Sequence, residues 1–148
     1  MKILLATDGS EGSAAALEAL VSRPWPAASE VLVLSVAFPY PYYQDPFLAG
    51  AAIYGRILDE EVARATADAA AAVDKIRARA PQLEVRTETP VGSPSALAID
   101  LARDWGADLI LVGSHGRGAA GRFLLGSVST AIALHAPCSV EIVRQRKA

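Results

Sequence analysis

The residues able to do chemistry concentrate in one stretch, Gly113 to Ser129, reading GSHGRGAAGRFLLGSVS. As spacing it is Gly113-x2-Gly116-x9-Gly126-Ser127. Phosphate binding needs backbone N–H groups pointing into a concavity with no Cβ in the way, and a helix start adds free N–H groups and a favourable dipole. Gly113 and Gly116 would permit close approach, and Gly126 would let the chain turn into a following helix. Ser127 and Ser129 would then be hydroxyl donors in its first turn, with His115, Arg117 and Arg122 nearby to balance negative charge. About four or five hydrogen bonds to a charged group, each contributing about 1.5–3 kcal/mol, are enough for micromolar binding after association costs. The same residues also suit a surface turn, so the position of the stretch in the fold decides between the two.

Two familiar phosphate motifs are excluded. No Gly-Lys-Ser/Thr follows the glycines, as a Walker loop requires. The stretch also follows the fourth strand, whereas the G-x-G-x-x-G dinucleotide fingerprint follows the first. Asp8, in Thr-Asp-Gly-Ser at the end of the first strand, reads either as a turn or cap residue or as part of a site. His115 and His135 lie far apart in sequence, and with one cysteine, Cys138, and no clustered carboxylates they form neither a metal pattern nor a nucleophilic triad. Asp59, Glu60 and Glu61 are consecutive on a helix, face different ways and read as a solvated helix start.

The totals bound the partners. A chain of 148 residues has the length of one domain and buries a real core without staples. Fourteen basic against sixteen acidic side chains leave a formal charge of −2, which argues against nucleic acid or an anionic membrane surface as partner. Any anion site must be local. A lone cysteine suits a reducing compartment, and the apolar stretch at the N-terminus is short for a signal peptide. A soluble, cytoplasmic protein is expected.

The elements that must position the glycines follow from hydropathy. Residues 2–7 and 30–38 and the stretch 108–113 are apolar runs of the kind buried on both faces of a sheet, whereas 83–89 alternates with a charged face and suits an edge. Helices are expected over 13–22, from about 55 to 80, over 92–106 with Ser93 as N-cap, Pro94 at the first position and Gly106 at the stop, and from about 127 to 135. The face of the second carries Leu58, Val62, Ala65, Ala69, Ala72 and Ile76. A last strand is read at 139–144. Alternation of this kind predicts an α/β fold: an open five-stranded parallel sheet with helices on both faces, Rossmann-like, over one domain, 1–148. Edge placement of 83–89 and 139–144 fits strand order 3-2-1-4-5, whose winding reverses between strands 1 and 4. Thr-Asp-Gly-Ser and the glycine stretch lie at the carboxyl ends of those two strands, where ligands of such sheets bind. The Pro- and Tyr-rich segment 39–47 reads equally as a lid over a base or as a surface excursion.

With ILLATDGSEGS at the start and APCSVEIVR at the end, the spaced glycine pattern resembles the universal stress protein family in its ATP-binding branch, over nearly the whole chain. The resemblance implies an adenine nucleotide hydrolase-like α/β fold with the same strand order. It also implies a bound adenine nucleotide, ATP or AMP/ADP, with Mg2+ expected beside a triphosphate, and a homodimer joined through strand 139–144. Carried over by matching positions, Asp8 would contact the ribose or adenine, with Ala6 and Thr7 lining the same floor. Val36 would offer backbone groups to the adenine edge, and Gly113, His115, Gly116, Gly126, Ser127 and Ser129 would surround the phosphates. Three functions follow in outline: a nucleotide-dependent regulator read by a protein partner of unknown identity, a slow ATPase or nucleotidyl transferase, and a dimerising scaffold without nucleotide.

Overall fold

The computed structural model describes residues 1–39, 51–117 and 125–145, with backbone alone at 51 and 52. In chain order the elements are β1 (Lys2–Ala6), α1 (Glu11–Val21), β2 (Glu30–Leu34), α2 (Ala51–Arg79), β3 (Glu84–Glu88), α3 (Pro94–Trp105), β4 (Leu109–Gly113), α4 (Ser127–His135) and β5 (Ser139–Val143). The strands form one sheet in the order β3-β2-β1-β4-β5, and every pairing is parallel. This is the expected topology. Leu5 stands beside Val33 on one side and Leu111 on the other, so β1 lies at the centre with its switch-point neighbour β4.

Alternate residues of the central strands feed two cores. Ile3, Leu5, Val31, Val33 and Leu111 pack with Leu17 and Leu20 of α1 and with Val73 and Ile76 of α2. Leu4, Leu34 and Ile110 pack on the opposite face with Ala98 and Ala102 of α3 and Ile132 of α4. All of β4 is buried, whereas four of the five β3 residues are exposed, as a sheet covered at its centre and open at its edge requires. Of the expected α2 stripe, Ala65, Ala69, Ala72 and Ile76 are buried, while Leu58 and Val62 are half-buried.

Most boundaries differ from expectation by a residue or two, α2 begins four residues early at Ala51, and two differences have local causes. The β2 ladder stops at Leu34, short of residue 38, and only an isolated bridge joins Ala37 to Val91. Ser35 donates to the Glu88 carbonyl at 3.1 Å, but the residue placed to donate back to the Ser35 carbonyl is Pro90, which has no N–H, so the ladder fails there. The first helix begins at Glu11, two residues early, because Ser10 caps it by accepting the Ser13 N–H. Ser93 has the extended backbone of an N-cap and Pro94 follows at the first helical position, yet the Ser93 hydroxyl makes no capping bond. At the other end of α3, Gly106 takes the left-handed conformation at φ 69°, as a glycine stop predicts. No helix among the described residues is long and apolar enough to cross a membrane.

Candidate functional site

The carboxyl ends of β1 and β4 open onto a cavity of about 710 Å3. Its floor comes from the sheet itself: Ala6 and Thr7 leaving β1, Leu34 and Val36 leaving β2, and Val112 and Gly113 ending β4. Asp8, His115, Gly116 and Arg117 form one wall, and Gly126, Ser127 and Ser129 at the start of α4 form another. All the residues singled out from sequence and lying in the described chain therefore border one space. Arg122 lies outside the described residues, as does the Pro- and Tyr-rich segment beyond Pro39.

The amino end of α4 is available to an anion. Its first helical bond runs from the Thr130 N–H to the Gly126 carbonyl at 2.9 Å, so the amides of Ser127, Val128 and Ser129 precede the helical ladder. Ser127 is exposed. Ser129 lines the cavity, and its hydroxyl shares one proton between the carbonyls of Ser114, at 3.1 Å, and Gly126, at 2.9 Å. It fastens the helix start to the end of β4.

The glycines prove to have different causes. A Cβ on Gly113 would lie 2.3 Å from the carbonyl carbon of Gly12, so Gly113 is required by the approach of α1 to β4. Gly12 in turn leaves space for the His115 carbonyl, which a Cβ would meet at 2.1 Å. Gly116 makes room for the carboxylate of Asp8, 2.6 Å from its ideal Cβ. Gly126 is the exception: with φ −64° and ψ 157° it is in ordinary extended backbone, and a Cβ would meet its nearest neighbours at 3.4–3.6 Å. Neither a turn nor internal packing demands glycine there, contrary to the expected turning role.

Asp8 organises the wall. Its Oδ1 accepts from the Ser10 amide at 3.1 Å and the Ser10 hydroxyl at 2.5 Å, and its Oδ2 accepts from the Arg117 amide at 3.0 Å. Burial pushes the Asp8 carboxyl upward, but the hydrogen bonds from Ser10 and Arg117 outweigh it and hold the group below its ordinary value. Asp8 is thus a turn residue and a cavity residue at once. The His115 ring shares Nδ1 with the Ser114 hydroxyl at 2.9 Å, while its buried Nε2 meets no partner among the described residues.

Sequence reasoning missed the contribution of α2. Glu61, read as part of a solvated helix start, lines the cavity with Phe38 and Ser13. Its carboxylate accepts from Arg64 of the same helix at 3.0 Å and from the Arg117 guanidinium at 3.3 Å. Burial raises the Glu61 carboxyl, and the two arginines reverse that and leave it lowered. Glu61, Arg64 and Asp68 are spaced for one helical face, a signal present in the sequence, but their direction depends on how α2 docks. No group of three metal-ligating side chains occurs among the described residues.

Known proteins share this fold. A family model described as the universal stress protein family matches residues 1–144. Over 61 residues the chain is 54% identical to a putative universal stress protein of Staphylococcus epidermidis, a stretch that spans 40% of this chain and 37% of that relative. Among solved structures, the universal stress protein UspA from Lactobacillus plantarum is 26% identical with a TM-score of 0.73, over 97% of each chain. A universal stress protein in complex with cAMP is 26% identical with a TM-score of 0.55, over 97% of this chain and 96% of that one. An Arabidopsis thaliana family protein with AMP bound shares the fold at 18% identity and a TM-score of 0.68, over 99% of this chain and 92% of its own. With the family pattern running from the first residue of β1 past the end of β5, the chain belongs to the universal stress protein family.

Proposed function

We propose that this protein binds an adenine nucleotide, ATP or its products ADP and AMP, between the ends of β1 and β4, and acts as a nucleotide-dependent regulator. The observation that carries the reading is Gly126: the chain's own packing does not require glycine there, yet it lies on the cavity wall where the free amides of α4 begin. A phosphate at that helix start gives the missing side chain a reason. His115 lines the same space, with its ring held by the Ser114 hydroxyl. The cavity volume lies within the ordinary range for small-molecule sites, roughly 300–1,000 Å3. The relative in complex with cAMP supports the choice of base. In this reading the base lies toward Val36, the ribose near Asp8, and the phosphates against Gly116, Ser127 and the α4 amides. Arg117 stands at the phosphate end, and Mg2+ accompanies a triphosphate.

The partners belong to the same proposal. Homodimerisation through β5 is supported by its position at the sheet edge and by Leu134, 72% exposed on the helix packed against that strand. A cytoplasmic location fits a protein whose cysteine is free. Mass spectrometry of ligand released from freshly purified protein, with calorimetric titration of ATP, ADP and AMP, tests the binding. Adenine nucleotide in the released fraction and a dissociation constant on the order of micromolar are expected. Empty protein and no heat at millimolar nucleotide would refute it and favour a scaffold.

A further inference from the structure

Helix α2 carries a charged cassette that reaches all three loops enclosing the cavity. Arg64 is its centre, with its side chain 19% exposed. Its guanidinium donates to the Val36 carbonyl at 2.8 Å, to Glu61 Oε2 at 3.0 Å and to Asp68 Oδ2 at 2.6 Å. Glu61 then accepts the Phe38 amide at 3.4 Å and the Arg117 guanidinium at 3.3 Å, tying the exit of β2 to the loop after β4. Asp68 lies against Gly9 in the loop after β1, where an ideal Cβ would sit 2.5 Å from its Oδ1. Directly at Val36, and through Glu61 and Asp68, one arginine thereby links the exits of three strands. The Val36 carbonyl belongs to a peptide whose N–H, on Ala37, donates to Pro90 at 2.9 Å, so Arg64 holds the other end of that peptide beyond the close of the ladder at Leu34.

We infer that Arg64 is a positioning residue of the nucleotide site, fixing the Val36 peptide as the base-reading wall and, through Glu61, the placement of Arg117. The inference rests on the nucleotide-binding reading. Arg64 does not border the cavity, so it acts through Val36 and Glu61 and not by touching the ligand. A guanidinium suits the role because its fixed fork serves a carbonyl and two carboxylates at once, which a lysine ammonium on a flexible stem cannot match.

The test is calorimetric binding of ATP, GTP and inorganic triphosphate to the full chain and to Arg64→Met, Arg64→Lys and Asp68→Asn, with thermal melts confirming that each variant is folded. Arg64→Met is expected to weaken ATP binding about tenfold and to reduce the ATP-over-GTP preference by a similar factor, since a charge-assisted bond on the base wall is lost. Inorganic triphosphate, which feels only the displaced Arg117, should weaken by no more than about threefold, and Arg64→Lys should recover part of the preference. Asp68→Asn, which removes one anchor of Arg64 outside the cavity, should reduce the preference about threefold and decides the matter if Arg64→Met does not fold. Folded variants that keep wild-type ATP affinity and base preference would overturn the inference while leaving nucleotide binding intact. Wild-type protein that binds no nucleotide would instead remove the reading beneath it.

Discussion

Glycines that look alike in the sequence have separable duties, and substitution distinguishes them. Gly113→Ala places a methyl 2.3 Å from the Gly12 backbone, where no flexible side chain can yield. It should destabilise the fold by about 2–3 kcal/mol in urea unfolding. Gly126→Ala meets only ordinary contacts and gives up the modest preference for glycine over alanine at the N-cap of α4, so stability should fall by less than about 1 kcal/mol. Its methyl takes space at the α4 amides, and ATP affinity measured by calorimetry should fall about tenfold. Equal losses of stability in the two variants would contradict the assignment of Gly126 to a ligand. Asp8 gives a pH prediction at the same scale. Its folded-state pKa is lowered, so its stabilisation is present above the unfolded value, near 3.9, and is lost as pH falls through the folded value. Glu18, Glu61 and Glu141 are lowered as well and act in the same direction. Wild-type protein should therefore lose unfolding free energy below about pH 4 more steeply than Asp8→Asn, as followed by urea denaturation across pH.

At the scale of elements, the local signals were strongest where backbone chemistry has few solutions. Pro94 and Gly106 bracket α3 because a ring-locked φ and a left-handed stop are readable from residue type alone. The start of α1 was less legible: Ser10 has two employments, accepting the Ser13 amide as a cap and donating to Asp8. Ser10→Ala should cost about 1 kcal/mol in unfolding free energy, and loss of its bond to Asp8 should lift the Asp8 pKa as followed by carboxyl-carbon NMR. An unchanged Asp8 titration would deny the coupling. Helix α2 shows why Glu61 could not be told from its neighbours: Asp59 and Glu60 are exposed as expected, and Glu61 alone turns to the cavity. Adjacent charges on a helix point in different directions, and which of them faces a cavity is set by the packing of Ala65, Ala69, Ala72 and Ile76 on the sheet. The break of β2 at Pro90 was likewise hidden, because the proline sits on the neighbouring strand's exit and not on β2 itself.

For the whole molecule, the sheet has two edges of different character. β3 carries Glu84, Arg86 and Glu88, exposed charges of the kind that discourage pairing, whereas β5 presents half-buried Val140 and Ile142. Sedimentation should accordingly give a dimer, and amide exchange at Val140 and Ile142 should slow as protein concentration rises into the associated range. A monomer at all concentrations would reassign the β5 edge. The sequence by itself determined the alternation of strands and helices, the parallel sheet, its strand order and the switch point, because hydropathy distinguishes strands buried on both faces from edges and crossover handedness leaves few topologies. It also marked the stretch Gly113 to Ser129, whose described residues include much of the cavity wall. Which glycines serve the chain and which leaves room on the cavity wall, which carbonyls the Ser129 hydroxyl meets, and how α2 brings Glu61 to the cavity with Arg64 behind it came from tertiary packing alone. Those facts depend on distances between segments far apart in sequence, such as the Val36 carbonyl and the Arg64 guanidinium, and no local pattern encodes a distance of that kind.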